Sequence, residues 1–110
     1  MSDGEVTGNP KPPAEKRFLV LFHQSKRKQA VEHWNGFVAA LHQGRHLIGG
    51  SALAKPSAVK EGAPVPPRCT SVGGYMVITA PSIAKVRALM KQSPTHRCGG
   101  LVDIFPLVVD

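Results

Sequence analysis

Acidic side chains are scarce in this 110-residue chain: seven Asp and Glu stand against fourteen Lys and Arg, a net charge of +7. The imbalance steers anions toward the surface and says nothing about fold. Aromatics are few as well, four Phe with one Trp and one Tyr, which argues against a surface of stacking platforms for single-stranded nucleic acid. Cys69 and Cys98 are the two cysteines. They are too few for a disulfide framework and form no Cys-x-x-Cys pair; a bridge requires that the fold bring them together. No apolar run approaches the roughly 20 residues of a membrane-spanning helix, and Met1–Lys16 has no apolar segment of the signal-peptide kind. The expected setting is a reducing cytoplasm, with no membrane partner. Apart from Lys26-Arg27-Lys28 the basic residues are scattered, which favours a solvated basic face over a nucleic-acid footprint.

The length suits one domain with one modest core. Residues 1–16 carry Gly4, Gly8, Pro10, Pro12 and Pro13 with almost no hydrophobics, so they read as a flexible tail before a single domain over 17–110. Arg17–Gln24 is a continuous apolar run that suits a buried strand. Between Ser25 and Gln43 the spacing of Ala30, Val31, Trp34, Phe37, Val38 and Leu41 predicts an amphipathic helix with Gly44 as its stop. His46–Leu53 reads as a second strand with a bulge or close approach at Gly49-Gly50. Ala54–Ser71, rich in proline, reads as a long loop with an extended stretch near Ala63–Val65.

The last third is the most regular. Gly73–Thr79 forms a strand, Ser82 caps a helix whose stripe is Ile83, Val86, Leu89 and Met90, Pro94 ends that helix, and Gly99–Val109 returns as a strand. Pro106 suits an edge position. Two strand–helix–strand halves predict an α+β, ferredoxin-like βαββαβ fold: a four-stranded antiparallel sheet with two helices on one face. Several strands are apolar on both faces, so the face without helices calls for a partner, most simply a second copy in a homodimer.

Gly73-Gly74-Tyr75-Met76-Val77-Ile78, the helix from Ser82 to Gln92, and Gly99-Gly100-Leu101-Val102-Asp103-Ile104-Phe105-Pro106 resemble the YCII-related proteins. The first half agrees through His33, Phe37–Leu41, Gly44 and Leu47–Gly50. The resemblance spans about Arg17 to Leu107 and implies a dimeric α+β barrel. It also implies a helix histidine paired with an acid, and in one class removal of chloride from a hydroxylated aromatic ring. Ser25 stands where the acid after the first strand is expected, and the "DGPF" segment of one subgroup is replaced by Val65-Pro66-Pro67-Arg68.

His33 is the first catalytic candidate. It borders the apolar stripe of its helix, where a neutral imidazole can take a proton from a phenol or an acidic carbon; Ser25 is the companion candidate, able to offer a neutral hydrogen bond. His23 shares the strand face of Leu19 and Leu21 and can reach the same cleft or meet water at the strand end. Arg45 and Arg68 are candidates for an anionic ligand. His42 and His46 read as exposed beside the Gly44 turn, Asp103 as outward-facing, and Cys98, beside His96 and Arg97, as a weak nucleophile candidate ahead of Cys69. No histidine pair has metal-ligand spacing with a third ligand close by, so no metal is expected, and no organic cofactor. Neither Gly-Gly pair has the spacing of a phosphate-binding loop. Three functions fit: an enzyme of lyase or isomerase type moving a proton at a histidine, a non-catalytic module binding a small anionic molecule, and a basic nucleic-acid-associated protein.

Overall fold

The run of apolar residues after Lys16 becomes strand β1 (Lys16–His23) in the computed structural model, which describes residues 15–24 and 31–108. Helix α1 (Val31–Gln43), β2 (Leu47–Ala52), a short hairpin of β3 (Ala58–Lys60) and β4 (Ala63–Val65), β5 (Val72–Ala80), α2 (Ile83–Met90), α3 (Pro94–Arg97) and β6 (Val102–Pro106) follow. The main sheet has the order β2-β5-β1-β6. Every neighbouring pair in it is antiparallel. β1 and β2 therefore run parallel with β5 inserted between them, which is the split βαβ arrangement of a ferredoxin-like sheet.

One face of the sheet holds the core. Phe18, Val20 and Phe22 of β1 and Met76, Ile78 and Ala80 of β5 are buried, together with Phe37 and Leu41 of α1 and Val86 and Met90 of α2. Both helices thus cover the same face. The strand period of two sends the intervening residues the other way: Leu19 pairs with Val77 and Phe105, and Leu21 with Tyr75 and Asp103. Pro106 closes the edge strand β6, where a missing donor is tolerated.

Several local expectations need correction. β1 begins at Lys16, inside the segment read as tail, and residues 1–14 lie outside the described residues, as do 25–30 before α1. Pro94 does not end a helix but begins one. α2 stops at Met90, and Ser93 then caps α3 by accepting a hydrogen bond from the His96 N–H at 3.2 Å, with proline at a first-turn position where no N–H is missed. The final strand is shorter than the apolar run, Val102–Pro106. Inside the Pro-rich loop, Glu61 and Gly62 both have positive φ, 52° and 79°, the geometry of a two-residue hairpin turn. The bulge expected at Gly49-Gly50 is seen as a register shift at Leu47/Gly49, and a second shift falls at Phe22/His23, opposite the Gly73-Gly74 pair. Gly50 has a steric reason: a Cβ there would lie 2.5 Å from the Tyr75 carbonyl oxygen.

The end of α1 differs from expectation in an instructive way. The His46 N–H donates to Leu41 O at 2.9 Å and the Arg45 N–H to His42 O at 3.1 Å, the two bonds of a Schellman motif. Its left-handed position is occupied by Arg45 (φ 60°) and not by Gly44. Since a side chain there costs about 1 kcal/mol relative to glycine, Arg45→Gly is expected to raise unfolding free energy by about that amount, read from urea midpoints at constant m-value.

Candidate functional site

β1 ends where the site begins. The His23 N–H donates to Leu101 O at 3.0 Å on one side, and the Gln24 N–H donates to Ser71 O at 2.7 Å on the other. The strand end is therefore pinned between its two neighbours, and the imidazole projects from a fixed backbone. Its Nε2 lies 2.7 Å from Asp103 Oδ2 and its Nδ1 2.7 Å from Ser71 Oγ. Asp103 sits directly opposite Leu21, so His23 is its diagonal neighbour on the same sheet face, within reach of long side chains.

The chemistry of the partners fixes the proton. An ionised carboxylate only accepts, so Nε2 carries the hydrogen donated to Asp103; in the neutral ring Nδ1 is then the acceptor, and the Ser71 hydroxyl donates to it. His23 is thus oriented as a base with its lone pair directed at a hydroxyl. The side chain of His23 is 16% exposed and that of Asp103 42%, so water reaches the pair from one side. Asp103 is the sole acidic residue between Glu61 and Asp110, in a stretch otherwise carrying only positive charge.

A cavity of about 690 Å³ opens at this end of the sheet, mainly on the helix-covered face. His23 is among its lining residues, whereas Asp103 and Ser71 are not, and the volume is within the usual range for small-molecule sites. The helix side of its wall is apolar: Phe22 from β1, Trp34 and Val38 from α1, Leu47 from β2 and Met76 from β5. Trp34 is fixed edge-on against Phe22, with centroids 5.2 Å apart, and against Phe37 at 6.0 Å. Gly50, Gly73 and Gly74 line the sheet side, where absent side chains leave room over the strands. Polar character comes from His23, Gln24, Ser51 and the buried Thr95.

Of the residues singled out by sequence, His23 stands at the site. His33 lies in the first turns of α1 and is exposed, outside the cavity lining, because Trp34, Phe37 and Leu41 set the helix's rotation. Ser25 lies outside the described residues. Arg45 is exposed at the end of α1 and Arg68 is exposed in the loop before β5; neither lines the cavity. Asp103 does face away from the helices, but as the partner of His23 and not simply toward water. His46 is half-buried, not exposed, and donates from Nδ1 to Thr79 O at 2.9 Å. Cys69 and Cys98 are thiols, not bridged to one another. Among the described residues no group of three or more His, Cys, Asp or Glu is placed to hold a metal ion. No helix among them is long and apolar enough to cross a membrane. Ser71 and Gln24 were not legible as site residues; they are brought in by strand pairing.

The fold and the cavity define an α+β domain of ferredoxin-like topology with a small-molecule-sized site at one end of its sheet. No family model matches the chain, and no curated protein sequence matches it. Among solved structures it is similar to 5-chloro-2-hydroxyhydroquinone dehydrochlorinase from Burkholderia phenoliruptrix AC1100, determined in complex with 2,5-dihydroxybenzoquinone. The TM-score is 0.57 at 11% identity, over 86% of this chain and 95% of that one. The hydroxynitrile lyase of Passiflora edulis overlaps at a TM-score of 0.38 and 12% identity, over 90% and 98% of the two chains, a score that carries nothing further. The dehydrochlorinase likeness establishes the fold.

Proposed function

We propose that this chain is a YCII-related enzyme of lyase or isomerase type, acting on a small molecule by proton transfer at His23. The observation that carries this reading is the pair of 2.7 Å hydrogen bonds holding the imidazole between Asp103 and Ser71, on a residue that is also among those lining a cavity with apolar sides. Asp103 orients the ring and stabilises the imidazolium formed when Nδ1 takes a proton. An acidic O–H or C–H of the substrate gives up that proton directly, by displacing Ser71 Oγ, or through the Ser71 hydroxyl. The walls suit a largely apolar ring, and the net charge of +7 favours an anionic or ionisable one. A protein of the same fold, crystallised with 2,5-dihydroxybenzoquinone, makes hydroxylated rings the first compounds to try.

The test is solvent exchange. The protein is incubated in D2O with a panel of hydroxylated aromatics and small carbonyl compounds, and incorporation at acidic carbons is followed by NMR. Catalysed exchange of at least one compound is expected. Saturable binding without exchange would support a binding module instead, and neither binding nor exchange across the panel would overturn the reading.

We also propose that the chain works as a homodimer joined through the sheet face that carries no helix. Leu19, Leu21, Tyr75, Val77 and the exposed Phe105 form an apolar band across three strands there, a self-complementary surface of the kind that closes isologously. Light scattering on the wild-type protein should give a dimer mass, and Val77→Asp a monomer with unchanged far-UV circular dichroism. A wild-type monomer would contradict the proposal.

A further inference from the structure

We infer that Ser71 is a nucleophile and that this chain takes small activated acyl compounds, esters above all, through a covalent acyl-serine. The inference rests on the reading of His23 as a base and adds to it a bond-forming role for a second residue. Three side chains from three separate stretches form one hydrogen-bonded line: Ser71 just ahead of β5, His23 at the end of β1, and Asp103 in β6. A serine hydroxyl is a poor nucleophile at its own pKa and becomes effective when an adjacent base takes its proton while a third group holds that base. Those three roles are filled here within two contacts of 2.7 Å. The ring nitrogens exchange duties relative to the usual serine–histidine–carboxylate arrangement, Nδ1 facing the hydroxyl and Nε2 the acid, which leaves the logic unchanged because roles and geometry define it.

Access supports the assignment. Both ring nitrogens are engaged, so the atom that the line presents outward is Ser71 Oγ, on an exposed residue. The cavity lining includes His23 and Gly73, two residues beyond Ser71, but not Ser71 itself, whose hydroxyl is reached from the exposed side. Gln24 adds a candidate for the acyl oxygen. Its backbone is bonded to the Ser71 carbonyl, and its side chain lies over Gly73, with Nε2 3.8 Å from where a Cβ would stand. An amide N–H there is the kind of donor that meets an oxyanion.

The step balances without a cofactor. Ser71 Oγ bonds to the acyl carbon as its proton passes to His23 Nδ1; the tetrahedral intermediate collapses, and the departing alcohol oxygen takes that proton. Water repeats the sequence on the acyl-serine, releasing a carboxylic acid and restoring the hydroxyl.

The experiment uses the full chain with p-nitrophenyl acetate and, separately, a fluorophosphonate, followed by intact mass and peptide mapping. A single adduct at Ser71 is expected in the wild type, forming at least about 100-fold more slowly in His23→Ala and absent at that peptide in Ser71→Ala. Ser71→Cys should be alkylated by iodoacetamide at residue 71 faster than at Cys69 in the same molecule. Modification at lysines only, or Ser71 labelling that is indifferent to His23, would overturn the inference. Ser71→Ala that keeps solvent exchange while no acyl-serine forms in the wild type would remove the nucleophile and leave the proton-transfer reading standing. Loss of neither property in His23→Ala would remove both.

Discussion

His23→Ala is expected to lower the catalysed solvent exchange of a turned-over compound by about 100-fold to 10,000-fold while leaving the thermal midpoint nearly unchanged. The separation of the two effects follows from where the residue stands. His23 is the last residue of β1, beyond the buried Phe18, Val20 and Phe22, and faces away from the helix-covered core. Removing its ring opens no core cavity, whereas it removes the imidazole held between Asp103 and Ser71. Asp103→Asn is the graded companion. Its side-chain oxygen can still accept from Nε2, so binding should hold, but the imidazolium loses its counter-charge and kcat should fall with little change in KM. A fall confined to KM would instead mark Asp103 as a binding group. His33→Ala belongs in the same series: the exposed position of His33 leads to the expectation of unchanged exchange, and a loss comparable to that of His23→Ala would return the chemistry to α1.

Phe18→Ala should have the largest effect on stability, about 3–5 kcal/mol. Phe18 is 2% exposed and lies mid-sheet between Ile78 on β5 and Pro106 on β6. It is among the largest fully buried side chains of the core, and neighbours anchored on β1, β5 and α2 cannot all collapse into the space it leaves. For a domain near 100 residues, each kcal/mol corresponds to roughly 4–8 °C, so the midpoint should fall by at least about 12 °C. Against a total stability of about 5–15 kcal/mol, such a loss brings the protein close to unfolding at room temperature. Val108, 92% exposed, provides the control; its change to alanine should stay within about 0.5 kcal/mol. A midpoint shift in Phe18→Ala no larger than that of the control would mean that the core is not where the strand alternation puts it.

The architecture was legible because it is written in local patterns. The apolar run of β1, the spacing of Trp34, Phe37 and Leu41 on α1, and the cap at Ser82, which accepts from the Lys85 N–H at 3.2 Å, are all encoded within a few residues of one another. The hairpin at Ala58–Val65 was not legible as a hairpin. Its strands are three residues each, too short for a period, and its turn places Glu61 as well as Gly62 at positive φ. Pro94 misled for a related reason: proline both stops helices and starts them, and only Ser93, with its cap bond, decides between the two.

The site was less legible than the fold because it is made by register. That His23 shares a face with Leu19 and Leu21 follows from alternation along one strand. That Asp103 meets it depends on Leu21 pairing with Asp103, a relation between residues about eighty positions apart that no local pattern carries. The sequence pointed to His33 and a missing acid near Ser25; the fold assembles a histidine–acid pair from other residues, with the acid supplied by the final strand.

The most direct test needs no substrate. In uniformly 15N-labelled protein, long-range 1H–15N correlation at a pH where the ring is neutral reports which nitrogen of His23 carries the proton. The carboxylate at Asp103 and the hydroxyl at Ser71 require the Nε2–H tautomer, with an unprotonated Nδ1 whose signal moves toward the averaged, freely exchanging pattern in Asp103→Asn. A His23 ring that is protonated on Nδ1, or that averages freely between tautomers in the wild type, would contradict the arrangement on which the proposed chemistry depends.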